Sequence, residues 1–343
     1  MILRKKISIL VEAKRLTSFG SIHSAVPCFP SVGLQGTIPG ELALLSSLRS
    51  ISIDRNRIEG RLTSRIGQLQ DLEALAMFSN DLSGSLATEL GLLSNLSFLW
   101  LMQNKLEGSL PTELGQLSSK LKYLLLDNNQ LTGPIPSEVG LLPNVLYFWL
   151  YSNQMSGTLP TELGWMKALD SFAVDENLFV GPIPSEMGQL PDLYTLHVAD
   201  SLMTGSIPSE LGLAQNLHKL AFQHTYMNGT LPSELGLLTN LFRFWSWDSN
   251  FWGTIPTEFG NMAAMESLSI DANNLSGPLP SELGLLRKAT LLHFPENKLT
   301  GAIPTQLGGL LGLTDNILLF SNQLSGESNV VSADYDAWLS FLF

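Results

Sequence analysis

The 343-residue sequence predicts one fold class, an α/β repeat solenoid, and three observations carry that prediction. The first is period. A glycine recurs at Gly36, Gly60, Gly84, Gly108, Gly133, Gly157, Gly181, Gly205, Gly229, Gly253, Gly277, Gly301 and Gly326, with ten of the twelve intervals at 24 residues and two at 25. So strict a period marks stacked copies of one supersecondary unit. The second is the apolar pattern within a unit, which no single copy could bury alone but which stacked copies merge into a continuous core. The third is an asparagine at one fixed place, where an amide can satisfy backbone groups that a bend leaves unpaired.

The stretch Leu121 to Asn144, LKYLLLDNNQLTGPIPSEVGLLPN, shows each element in order. Leu124 and Leu126 alternate at period two and predict a short strand. Their row is apolar in all twelve units from Ile51 to Ile317, and the second row fails only at Ser246. Asn129 marks the bend after the strand, a place also held by Asn56, Asn80, Asn104, Asn153, Asn177, Asn273, Asn297 and Asn322. Three successive units depart there, with Ser201, Thr225 and Ser249. A second extended step follows through Leu131 to Gly133, whose glycine suits a tight bend. Pro136 then fixes φ ahead of a loose helical turn carrying Val139 and Leu142.

By these residues the sequence resembles the plant-type leucine-rich repeat, LxxLxLxxNxLxGxIPxxLGxL, over residues 34 to 326. It is similar to the extracellular repeat regions of plant receptor-like proteins, to polygalacturonase-inhibiting proteins and to algal leucine-rich-repeat proteins. The resemblance implies a curved right-handed superhelix with a concave parallel β-sheet. It also implies short second-sheet strands, and 3-10 or short helical turns on the convex side.

Length alone would allow two ordinary domains, but the unbroken repeat predicts one elongated repeat domain over 34–326. Residues 1–33 form a non-repeat segment with a degenerate cap, and 327–343 a terminal cap or tail in which Tyr335, Trp338, Leu339, Leu342 and Phe343 would cover the last coil. Cys28 is the only cysteine, so no internal disulfide can form, whereas secreted relatives of this type usually pair cysteines near their first coil. The apolar run Ile7 to Val11 is too short for a secretory h-region, and no run approaches the roughly 20 apolar residues of a membrane span. The family resemblance implies an extracellular or cell-surface setting, and the missing leader leaves a cytoplasmic one open. The sequons at Asn95, Asn228 and Asn274 would be usable only in a secreted chain.

The net charge of −12 has an architectural source. Ten glutamates occupy one slot of the helical turn (Glu41, Glu89, Glu113, Glu138, Glu162, Glu186, Glu210, Glu234, Glu258, Glu282) and account for all but two of those charges. A carboxylate there is favourable beside the free N–H groups of a turn. The acidity argues against nucleic acid as a partner, which needs a basic stripe.

No nucleophile elbow, HExxH, phosphate loop or kinase signature is present, so the reading is non-catalytic, with no cofactor and no metal. In register, Glu176, Asp200, His224 and Asp248 share the last strand slot, and solvated edge charges explain them without a cation. The outward strand slots carry more information. Phe78, Phe98, Trp100, Tyr123, Tyr147, Trp149 and Tyr151 fill neighbouring units, followed by Tyr194, Phe242, Trp245 and Trp247. These slots face away from the core, and large exposed aromatic patches mark partner sites. The prediction is a ligand-recognition module that binds a protein, peptide or glycan on the concave face, in cell-surface signalling or defence. An intracellular interaction scaffold and the ligand-binding fragment of a longer receptor-like kinase are the alternatives.

Overall fold

The computed structural model describes residues 33–117, 119–313 and 316–325. Both predicted caps, with Cys28, Gly326 and the aromatic residues near Trp338, lie outside the described residues. The chain divides into two compact units, one ending at Thr204 and one beginning at Gly205.

Each unit is built from the same coil. In the coil around Asn129, the strand Tyr123–Leu125 leads through a bend into a second strand, Gln130–Gly133, and then a 3-10 helix, Ser137–Leu141. Strands from successive coils pair in parallel and in register, so that Phe98, Tyr123 and Tyr147 form one row and Leu99, Leu124 and Phe148 the next. Seven such strands, Ser50–Ser52 to Thr195–His197, make the principal sheet of the first unit, and five, Lys219–Ala221 to Asn316–Leu318, that of the second. Within each unit the second strands build a separate parallel sheet. The architecture matches the leucine-rich-repeat solenoid.

The core lies between the two sheets and the helical row. Leu124, Leu126, Leu131 and Val139 are fully buried, and where phenylalanine replaces leucine the rings meet, as Phe222 and Phe244 do edge to face at 6.1 Å. Ser246, the one polar residue of the inner strand rows, is also fully buried, and its hydroxyl lacks a partner.

The asparagine row joins coil to coil. Asn129 Oδ1 accepts the Leu106 N–H of the preceding coil at 3.0 Å, and its Nδ2 donates to the carbonyls of Leu101, Leu126 and Asp127 at 3.0–3.2 Å. The residue before each asparagine takes a left-handed conformation, with φ +54° at Asn128. The hydroxyl variants keep part of this pattern. Thr225 Oγ1 donates to Phe222 O at 2.8 Å, and Ser249 Oγ reaches the same carbonyl at 3.2 Å. What they lose is the amide acceptor for the preceding coil. Met227 N–H therefore turns to its own coil's Thr225 hydroxyl at a long 3.4 Å.

One requirement of the repeat escaped the sequence reading. The glycine of the helical turn packs against the next coil's glutamate backbone, and a Cβ on Gly67 would stand 2.5 Å from Glu89 O. The repeated spacing of the glutamates is thus matched by glycines that let their backbones approach.

Candidate functional site

Side chains of a strand alternate between its faces, so the first and third residues of each principal strand stand outward. In the first unit this places Phe98, Tyr123 and Tyr147 in one row and Trp100, Leu125 and Trp149 in the neighbouring one. Rungs roughly 4.8 Å apart are closer than the girth of an aromatic ring allows without contact. The rings accordingly form a continuous network. Phe78 meets Trp100 edge-on at 6.4 Å, Trp100 meets Phe98 at 5.7 Å, and Phe98 stacks on Tyr123 at 5.2 Å. Tyr123 meets Tyr147 at 5.2 Å, Tyr147 stacks on Trp149 at 5.5 Å, and Trp149 leans on Tyr151 at 6.1 Å.

This mutual packing corrects the expectation that all these rings stand in solvent. Phe78 and Tyr123 are only 8% and 7% exposed, while Phe98, Trp100, Tyr147, Trp149 and Tyr151 remain half-buried. Trp149 Nε1 donates to Ser171 Oγ at 2.9 Å, and Trp245 Nε1 makes the same bond to Ser267, also at 2.9 Å. At Trp100 the corresponding place on the next strand holds Tyr123 instead of serine, and its indole N–H is buried without a partner. Tyr194, also half-buried, stands one residue ahead of the strand Thr195–His197.

Carboxylates edge the aromatic floor. Asp127, 2% exposed, accepts from Asn128 Nδ2 at 3.0 Å and from the Tyr151 hydroxyl, yet its Oδ1 has no partner. Burial raises its pKa, and burial together with the Asp127 charge raises that of Tyr151. Burial, reinforced by the nearby charges of Asp200 and Glu176, pushes Asp175 up to about 7, against a 3.0 Å bond from Ala199 N–H that favours the anion. His197 Nδ1 lies 3.8 Å from the Asp175 carboxylate, which helps the anion only when the imidazole is protonated.

In the second unit the outward face mixes rings with cations. Trp245 and Trp247 lean together at 5.8 Å, and the Arg243 guanidinium sits over Trp245 at 5.4 Å and over Phe242 at 5.6 Å. Lys219 Nζ is 5.8 Å from the same Phe242 ring. The sequence reading passed over both cations, although they hold the same strand slot 24 residues apart. Trp247 Nε1 reaches His224 Nε2 at 3.3 Å, and His224 lies 3.9 Å from Asp248. His224 and Asp248, with Glu176 and Asp200, occupy the left-handed position at the bend, with φ from +48° to +52°. Among the described residues no cluster of three metal-ligating side chains occurs, and no helix is long and apolar enough to cross a membrane. A groove of about 760 Å³ runs elsewhere on the second unit, along Pro208, Glu210, Pro232, Glu234, Pro256 and Glu258. It is a furrow that the repeat itself generates.

The family model described as Leucine Rich Repeat matches residues 120–142. A leucine-rich-repeat protein of Leptospira interrogans is 31% identical, with a TM-score of 0.70 over 85% of this chain and 71% of that one. The chain belongs to the leucine-rich-repeat family. This leucine-rich-repeat protein is also similar to the Arabidopsis receptor kinase HAESA, solved with the peptide hormone IDA and the co-receptor SERK1, at 32% identity and a TM-score of 0.82 over 86% of the chain. The plant peptide hormone receptor RGFR1, solved with RGF2, matches at 30% identity and a TM-score of 0.75 over 86% of the chain. The leucine-rich-repeat chain spans 49% and 51% of those two receptor chains, about half of each. No curated protein matches the sequence. The fold is thus similar to that of plant receptors solved with peptide hormones.

Proposed function

We propose that this chain is a non-catalytic recognition module that binds a peptide ligand along the outward face of its principal sheet, in cell-surface signalling. The observation that carries the reading is the seven-ring network from Phe78 to Tyr151, whose Phe98, Trp100, Tyr147, Trp149 and Tyr151 keep part of their surface open. Rings already held by one another lose little freedom when a ligand docks, and such anchors often carry about 2 kcal/mol or more of binding. The likeness to ectodomains solved with peptide hormones favours a peptide, and it favours an extracellular setting.

The test is selection of peptides from a random displayed library on the full chain, followed by titration of variants. Trp149→Ala should weaken the selected peptide at least tenfold with the fold intact. Ser171→Ala, which keeps the ring but removes its 2.9 Å bond, should weaken it less. Gln154→Ala, exposed on the second sheet, is the control. Unchanged affinity in Trp149→Ala would return the network to a covering role.

A further inference from the structure

Lys219 and Arg243 pose an electrostatic problem that the folded chain leaves open. They are directly opposite on adjacent parallel strands, a placement that is unfavourable for like charges. Both heads gather at one ring, 5.8 and 5.6 Å from the centre of Phe242. Among the described residues no carboxylate comes within ion-pairing distance of either, including exposed Glu266, whose backbone N–H bonds Phe242 O at 2.9 Å. A chain of net charge −12 has acid to spare, yet none is set here. Aromatic faces attract the two cations and hold them in place. They do not neutralise them.

The surroundings are suited to a ligand segment that is anionic and partly apolar. Trp245 and Trp247 are half-buried beside Arg243, and the indole N–H of Trp245 is already engaged by Ser267 at 2.9 Å, which fixes its ring. Two donors of positive charge beside flat apolar faces match a peptide carrying a carboxylate next to an apolar side chain.

We infer that the outward face of the second unit, through Lys219 and Arg243 flanked by Phe242, Trp245 and Trp247, selects an acidic segment of a peptide ligand. The inference rests on the peptide reading above and adds the sign of the ligand's charge. It also predicts salt dependence, because exposed charge pairs weaken as the Debye length shortens from about 10 Å at 0.1 M to about 3 Å at 1 M.

The experiment compares random 12-residue peptide libraries selected on the wild-type full chain and on the Lys219→Glu, Arg243→Glu double variant. The wild type should enrich peptides of negative net charge, and the variant should lose or reverse that bias. The best acidic peptide should then bind the milder Lys219→Gln, Arg243→Gln variant at least tenfold more weakly. It should also lose affinity between 0.05 and 0.5 M salt, while circular dichroism confirms the fold. Enrichment of the same peptides on both proteins would overturn the charge inference and leave peptide recognition standing. Enrichment on neither would overturn both. Displacement of the peptide by an oligogalacturonate hexamer at lower concentration than by the free peptide would make the occupant an anionic glycan, and this too would overturn the inference.

Discussion

Replacing Asn129 by serine asks what the asparagine row contributes that a hydroxyl cannot. The native amide makes one bond as acceptor, from Leu106 N–H at 3.0 Å, and three as donor, to Leu101, Leu126 and Asp127. Serine at the equivalent Ser201 keeps the bond to the carbonyl three residues back, at 2.7 Å. The Asn129→Ser variant should therefore retain a bond to Leu126 O and lose the reach to the preceding coil. Leu106 is fully buried, so its stranded N–H costs about 1–3 kcal/mol, and the lost link to Leu101 O about 1 more. The expected loss is about 2–4 kcal/mol. A repeat array need not unfold in one step, so a local measurement is required. At about 1.4 kcal/mol per factor of ten, the Leu106 amide should exchange roughly 30- to 700-fold faster, with neighbouring coils affected and distant ones spared. Exchange at Leu106 within threefold of wild type, or acceleration spread evenly over the chain, would refute the claim that the amide ties coil to coil.

Three further outcomes follow from the same geometry. Ser249→Asn should raise Tm by offering Met227 N–H a side-chain acceptor across the coil in place of the 3.4 Å bond to Thr225; a fall in Tm would mean that the 3.1 Å Thr225–Ser249 hydroxyl contact is worth more. Asp175 sits at about 7 when folded against 3.8 in an ordinary carboxyl, so the anion opposes folding. Stability from this group is therefore retained below about pH 4 and lost as pH rises towards 7, by about 4 kcal/mol at most at 1.36 kcal/mol per pKa unit. Asp175→Asn should flatten that slope and raise Tm at pH 8, which a pH series of thermal melts would check. Changing Glu138, Glu162 and Glu186 together to Gln should alter stability by at most about 3 kcal/mol and leave peptide affinity unchanged, since their hydroxyl contacts are long, 3.3–3.5 Å. A large loss of affinity with the fold intact would place the ligand on the helical row instead of the sheet.

The sequence by itself determined the coil. A 24-residue period with apolar rows at Leu124 and Leu126, an amide at Asn129, a glycine at Gly133 and a proline at Pro136 leaves one stacking solution, because each is a local demand that every copy repeats. The parallel register followed too, and it sets Trp100, Leu125 and Trp149 in one row. What only the tertiary structure decided is how outward side chains treat one another. Whether Tyr123 is a free ring or one 7% exposed beneath Phe98 and Tyr147 depends on rotamers chosen jointly across rungs, and a periodic pattern carries no such information. The same holds for the helical glycines, whose need arises from the backbone of the next coil, and for Lys219 and Arg243, whose shared ring and missing counter-charge exist only in three dimensions. Inward positions are constrained by every neighbour at once and so leave a repeating mark on the sequence. Outward positions answer to one or two neighbours and to a ligand, and they vary from coil to coil.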